Sequence, residues 1–276
     1  SLTMSAITFG HHKLHNRYCF KGVLHLVSPL RISSGLASHE TDAPLMQTID
    51  GVPYIPGSSM RGAIRSEIER ILAAVDSTVT GLTSCTLFTK DDSESACISS
   101  SKQKQEALVT LSKSENGEAK ALKKTEEGLC DVCKLFGSTV FASRLIIEDS
   151  LPLDNKNPAD KRAIRDSVGI DRDTGTAADG AKFDFEVLET GPEFCFRMQV
   201  ENVTDKDKKL LQLVLSLLQQ QGLHVGGKRA AGLGRIKLQE DSLSVTGFAN
   251  PQGLWDAMMN GKDLHQPLAW TEEQPC

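Results

Sequence analysis

No run of apolar residues in the 276-residue sequence approaches the roughly 20 that a bilayer-crossing helix needs. The start of the chain shows no apolar h-region of a secretory signal, so a cytoplasmic protein is expected. An excess of positive charge is also missing. There are 31 basic and 36 acidic residues, for a net charge of −5 and a pI near 5.8. This excludes a protein that coats nucleic acid through its whole field, while leaving room for a local basic groove.

The two common nucleotide cradles are absent as well. In HVGGKRAAGLGR (residues 224–235), Gly227-Lys228 is followed by Arg229, so the Ser or Thr hydroxyl that a P-loop offers to magnesium is lacking. Gly232-x-Gly234 opens RIKLQE, where Ile236 and Leu238 alternate with polar residues; that is strand periodicity, and a dinucleotide fingerprint opens a helix. Seven cysteines without an export signal point to reduced thiols or a metal site and away from a disulfide framework.

What remains is ordinary globular material, 39% hydrophobic and 24% charged, enough for one large domain or two small ones. Residues 17–32 read as a long strand, with Tyr18, Phe20, Gly22, Leu24 and Leu26 on one face, ending near Pro29. Met60, Ile64, Ile68, Ile71 and Val75 recur at helical spacing, which predicts an amphipathic helix with Ser58 or Ser59 as its N-cap. A short strand is expected over 144–148. Residues 182–200 read as a hairpin, with Phe183, Phe185 and Val187 before a Glu189-Thr190-Gly191-Pro192 turn and Phe194, Phe196, Met198 and Val200 after it. A leucine-rich helix over 205–221 stops at Gly222, and strands follow near 235–239 and 242–248. Stripped of insertions the order is β-α-β-β-α-β, an α+β ferredoxin-like (RRM-like) core in a single domain spanning 1–276. Residues 91–128 are polar and serine-rich and read as a flexible insertion.

Four stretches carry chemistry. The loop at 224–235 packs four glycines and three cations, and from 224 to 238 Lys228, Arg229, Arg235 and Lys237 meet no acid. A solvated basic loop and a polyanion contact both fit that pattern. PGSSMRGAIR brings Ser58 and Ser59 to a helix start, where free N–H groups bind anions, and sets Arg61 and Arg65 one turn apart with Gly62 between them. The pair C-x-x-C at Cys130 and Cys133 is ambiguous between redox and metal chemistry. Cys85 and Cys97, upstream, could complete a four-cysteine set of the kind structural zinc takes, with His11, His12 and His15 as substitutes. SHETDAPLMQ carries His39, Glu40 and Asp42, with Asp50 shortly after. Carboxylates beside a phosphate track hold a divalent metal or move a proton, although an acidic surface loop is the commoner case.

The segments GLASHETDAPL, PYIPGSSMRGAIR, CDVCKLFG, VGIDRDTGTAADGAKFDFEV and GGKRAAGLGR, in that order, resemble the RAMP superfamily, specifically the repeating backbone subunit of type III CRISPR effector complexes. The resemblance implies a subunit that stacks with similar RAMP subunits along a guide (CRISPR) RNA. Ser58, Ser59, Arg61, Arg65, Gly226, Gly227, Lys228, Arg229 and Arg235 would then contact RNA. A thumb-like insertion at about 153–182, bearing Ile170 and Arg172, would wedge between bases of the guide–target duplex. Asp42 would cleave the complementary target RNA at each interruption with a divalent ion, Mg2+ or Mn2+. Residues 76–134 would form an insertion with a structural Zn2+ held by Cys85, Cys97, Cys130 and Cys133. A non-catalytic guide-binding subunit and a guide-processing endoribonuclease are the alternatives within the same superfamily.

Overall fold

The computed structural model describes residues 13–33, 45–85, 97–138, 141–153, 157–170, 177–225, 234–264 and 266–270; for 166–170 and 177–183 it describes the backbone. In chain order the strands are β1 (Arg17–Leu26), β2 (Leu30–Ile32), β3 (Met46–Gln47), β4 (Pro53–Tyr54), β5 (Leu145–Ile147), β6 (Arg162–Ile170), β7 (Ala177–Leu188), β8 (Glu193–Glu201), β9 (Leu223–His224), β10 (Arg235–Leu238), β11 (Ser244–Phe248) and β12 (Gln266–Pro267). The helices are α1 (Gly57–Ala74), α2 (Ser77–Thr80), α3 (Lys102–Ser112), α4 (Gly117–Gly128), α5 (Asp131–Phe136), α6 (Asp205–Ser216) and α7 (Pro251–Met259).

The main sheet has seven strands and is antiparallel throughout, with β1 at its centre. One edge of β1 pairs with β8 from Arg17↔Glu201 to His25↔Glu193. The other edge is shared, β11 covering Arg17 to Lys21 and β10 covering Leu24 to Leu26. β5 extends the sheet beyond β8. A second sheet of three strands, β2-β7-β6, carries a long hairpin, and β3 with β4 makes a small ribbon.

Alternation explains β8: Phe194, Phe196, Met198 and Val200 are fully or nearly fully buried, and every intervening residue is more exposed. The same logic buries Phe20, Leu24 and Leu26 on β1. α1 covers this core with Met60, Ile64, Ile68 and Leu72, each stabilising by roughly 1.5–3 kcal/mol on full burial. The stripe ends on Leu72; Ile71 is half-buried and Val75 lies exposed beyond the helix. α6 adds Leu210, Leu211, Val214 and Leu215, and a buried fork joins its first turn to β5: Arg144 Nη1 and Nη2 donate to Asp207 at 2.6 and 2.9 Å. After α6 the turn widens to a π-helical one over Leu217–Gln221, and Gly222, at φ 78°, ends it as expected.

Four expectations need correction. β7 and β8 are not a hairpin: β7 pairs with β6 and β2, and β8 with β1 and β5. The turn at 189–192 hands the chain from one sheet to the other. β6 went unseen because its sequence, RAIRDSVGI, is too charged to alternate cleanly. The strand expected over 17–32 breaks at 27–29, giving β1 and β2 in different sheets. Ser58 and Ser59 do not cap α1. Pro56 is the N-cap residue and the serines sit in the first turn, because the Asp149 carboxylate accepts from Gly57 N at 2.8 Å. The stretch expected to be flexible over 91–128 instead contains α3 and α4, which pack on each other. Ser101 caps α3, and Leu108, Ala121 and Thr125 supply a small buried face among many charges.

Candidate metal centre and nucleic-acid interface

Cys130 is the N-cap residue of α5, and its sulfur accepts from Cys133 N at 3.4 Å, so the C-x-x-C spacing closes on itself at a helix start. Cys97 lies just before the turn leading into α3, and Cys85 follows the extended stretch after α2. Thr83 fixes that stretch by donating both its N–H and its hydroxyl to the buried Asp131 carboxylate. The result joins all four cysteines: their sulfurs lie within 4.8 Å of one another, and Cys85 and Cys133 approach to 3.4 Å. Tetrahedral zinc, with Zn–S near 2.3 Å, needs sulfurs about 3.8 Å apart, so the spacing fits one such ion. Cys85 N donates to Cys130 Sγ and Cys130 N donates to Cys97 Sγ, each at 3.3 Å.

Four sulfurs this close cannot ionise independently. Hydrogen bonding to Cys130 and then Cys133 pulls the Cys97 thiol down, and Cys130 followed by Cys85 pulls Cys133 down. Cys85 is pushed up, first by Cys130, and Cys130 is pushed up, first by Cys133. A bound cation displaces the retained protons, which makes its affinity pH-dependent. His15 sits elsewhere, beside Asn202, and His11 and His12 lie outside the described residues.

Two of the three arginines of α1, Arg61 and Arg65, face this centre. Arg61 donates to the Phe136 carbonyl, and burial followed by the Arg65 charge pulls its pKa down. Arg65 reaches Glu69 at 3.0 Å, the Gly137 carbonyl at 2.9 Å and Cys133 Sγ at 3.3 Å. Both guanidinium groups lie 5.9 Å from the centre of the Phe136 ring. Periodicity put them on one helix face but could not show that α5 ends beneath it. Ser58, Ser59 and Gly62 are exposed, and a Cβ at Gly62 would meet nothing within 4 Å. A Cβ at Gly57 would meet the Ile147 carbonyl at 2.0 Å, so the helix start touches the β5 backbone directly.

Of the elements that flank the remaining site residues, the structure describes β2, β3, β4, β6, β7, β9 and β10. Ser33 N donates to Leu45 O at 2.8 Å and Leu45 N to Arg31 O at 3.1 Å. The chain therefore leaves β2 and returns to it, and β2 is paired with β7. Arg162, at the base of β6, forks onto Glu186 and reaches Gly51 O and Gln47 of the ribbon that leads into α1. Burial was legible for none of this tie. β9 and β10 form a tight pair, Arg235↔His224, and α1 packs against β9. Arg235 Nε and Nη2 donate to Gln221 O at the end of the π-helical turn, so this cation caps a helix. Asp42, Arg172, Gly226, Gly227, Lys228 and Arg229 lie outside the described residues, and for Ile170 the backbone alone is described.

A family model for the RAMP superfamily matches residues 23–237. The chain belongs to the RAMP superfamily. A curated relative from Methanocaldococcus jannaschii, named "CRISPR system Cms endoribonuclease Csm3", is 24% identical over 262 residues, covering 90% of this chain and 88% of the relative. A chain in the crystal structure of a Csm3-Csm4 subcomplex in the type III-A CRISPR-Cas interference complex aligns over 93% of this chain and 91% of its own length, at 16% identity and a TM-score of 0.48. Among the described residues no helix is long and apolar enough to cross a membrane.

Proposed function

We propose that this RAMP chain is a repeating backbone subunit of a type III CRISPR effector complex, working in the cytoplasm, that binds guide RNA and cleaves complementary target RNA. The observation that carries the reading is the anchoring of the Asp42-bearing segment. It leaves from Ser33 and returns at Leu45, both held on β2, the strand that pairs with the long β6–β7 hairpin. A shared anchor on β2 for the hairpin and for the segment that carries Asp42 supports a reading in which the carboxylate acts where the hairpin opens a duplex. The endoribonuclease name of the Methanocaldococcus jannaschii relative supports the same assignment. The antiparallel order β5-β8-β1-β10, with α1 between β1 and β5 in the chain and α6 between β8 and β10, supports a split ferredoxin-like core beneath it.

In this reading the adjacent ribose 2′-hydroxyl attacks the scissile phosphate, leaving a 2′,3′-cyclic phosphate and a 5′-hydroxyl. A displaced base gives in-line geometry, so positioning carries much of the rate. Asp42 orients the nucleophile or helps to hold the divalent ion. Mg2+ or Mn2+ would supply charge neutralisation at the phosphate, and the oxygen donors of Glu40, Asp42 and Asp50 suit so hard an ion. The first turn of α1 with Ser58 and Ser59, the loop cations Lys228 and Arg229, and the hairpin around Ile170 and Arg172 are the RNA contacts. The cysteine centre holds Zn2+ in a structural role: four soft thiolates at tetrahedral spacing leave no open position for chemistry.

The test is the reconstituted complex with Asp42→Ala. Cleavage at every interruption should fall by on the order of 10²–10⁴ while guide binding persists. Undiminished cleavage sinks the catalytic assignment. If the wild-type complex binds target and does not cut it, the subunit is a non-catalytic backbone. Metal-independent cleavage of precursor guide RNA by the isolated chain would make it a processing enzyme.

A further inference from the structure

Arg65 stands four residues from Arg61 on the helix expected to grip RNA, yet its side chain is only 14% exposed and all three of its nitrogens have acceptors. The sulfurs of the cysteine centre are served unequally. Cys130 receives the N–H groups of Cys85 and Cys133, and Cys97 receives that of Cys130. Cys133 receives the guanidinium of Arg65. We propose that Arg65 is a positioning residue of the metal centre: it orients the Cys133 thiolate and offsets the charge of the metal–thiolate group. The proposal rests on the metal reading above and deepens it.

The chemistry asks for such a group. Four thiolates on a divalent ion leave a net charge of about −2, and three of the four cysteines are buried. Isolated buried charge is costly unless paired and hydrogen-bonded. Backbone N–H groups bring dipoles, whereas a guanidinium brings a full charge that does not titrate in proteins and a flat fork of donors. Glu69, one turn along α1, holds the Nε edge at 3.0 Å, and the Gly137 carbonyl holds Nη1, so the remaining edge is aimed at sulfur without freedom to turn away. Outer partners of metal ligands typically alter metal affinity 10–100-fold. A plain strut between α1 and the end of α5 would account for the Gly137 contact but not for the contact with Cys133.

The experiment uses the full chain, with Zn2+ affinity read by competition against a chromophoric chelator and the sulfur-to-metal charge-transfer band read with Co2+. Arg65→Gln should weaken Zn2+ binding about 10–100-fold. It should also move the Co2+ band to longer wavelength, since a thiolate that loses a cationic donor yields its electrons more readily. Arg65→Lys keeps the charge without the fork and should recover part of the affinity. Wild-type affinity with an unmoved band in Arg65→Gln overturns the proposal and leaves the metal reading standing. A wild-type chain that takes up neither Zn2+ nor Co2+ overturns both. If Arg65→Gln does not fold in excess Zn2+, Arg65→Lys alone decides: a lowered affinity with a shifted band supports the proposal, and wild-type values overturn it.

Discussion

The fork between Arg144 and Asp207 makes a sharp prediction about what holds the cysteine-bearing part of the chain to the main sheet. The two side chains are 7% and 4% exposed, and Arg144 also donates to Asn202 O at 2.6 Å and, from Nε, to Lys134 O at 3.0 Å. Asp207 in turn accepts from Thr204 N, closing the capping box of α6. Asp207→Asn keeps size and an acceptor oxygen but strips the charge. Removing one partner of a buried pair costs about 3–5 kcal/mol, because the other charge is left uncompensated. Three backbone carbonyls still serve Arg144, those of Lys134, Glu201 and Asn202, so the lower end applies, about 3 kcal/mol. Unfolding entropy near 2.1 cal/mol/K per residue gives about 0.6 kcal/mol/K for this chain, hence a fall in Tm of about 5 °C. Calorimetry at pH 7 in excess Zn2+ keeps metal linkage constant between variants. Glu201→Gln is the control: it breaks the Arg17–Glu201 pair, 24% exposed on each side, and should cost less than about 1 kcal/mol. If Asp207→Asn melts no lower than that control, the buried-charge reasoning is wrong.

Other outcomes follow from the proposed RNA contacts and from the hairpin base. Lys228→Ala with Arg229→Ala should reduce the salt slope of guide-RNA binding by about 1.4, at roughly 0.7 per phosphate contact on a single strand; an unchanged slope in a salt titration removes the loop from the interface. Arg235 is left out of that variant because its fork caps the π-helical turn. At the hairpin base, the hydrogen bond from Arg162, with its charge, holds the Glu186 carboxyl below the ordinary carboxylate range. A depressed carboxylate stabilises above its unfolded pKa and loses that contribution as pH falls through the folded one. Glu186→Gln should therefore lower Tm at neutral pH, and the gap to wild type should close below the usual carboxylate range. A gap independent of pH would mean that the variant acts through packing alone.

Local pattern made some of this molecule legible and left the rest hidden for identifiable reasons. Strand β8 alternates cleanly because one face meets the core, and the helical run through α6 and its π-helical turn stops at Gly222. The C-x-x-C pair is ambiguous by itself and Cys85 and Cys97 stand far from it in sequence, so that all four could meet is an expectation of cysteine chemistry; their sulfurs do converge. β6 stayed invisible because a strand outside the main sheet can carry Arg, Asp and Ser without penalty. Helices α3 and α4 hid behind a composition of lysine, glutamate and serine, since two short helices packed on each other need few apolar residues. The direction of Arg65 was beyond any sequence rule: i to i+4 spacing names a face, and what lies against the face is tertiary.

The central strand β1 has one further consequence. In the chain it precedes all of its partners: β1 ends at Leu26, while β8, β10 and β11 begin at Glu193, Arg235 and Ser244. At roughly 5–20 residues per second, the apolar face bearing Phe20, Leu24 and Leu26 waits on the order of ten seconds or longer before its neighbours exist. The contacts that close the sheet join residues far apart in sequence, Arg17 with Phe248 among them, which predicts slow folding. Truncation just before β10 would leave β1 half-paired, with an open edge inviting another chain to complete it.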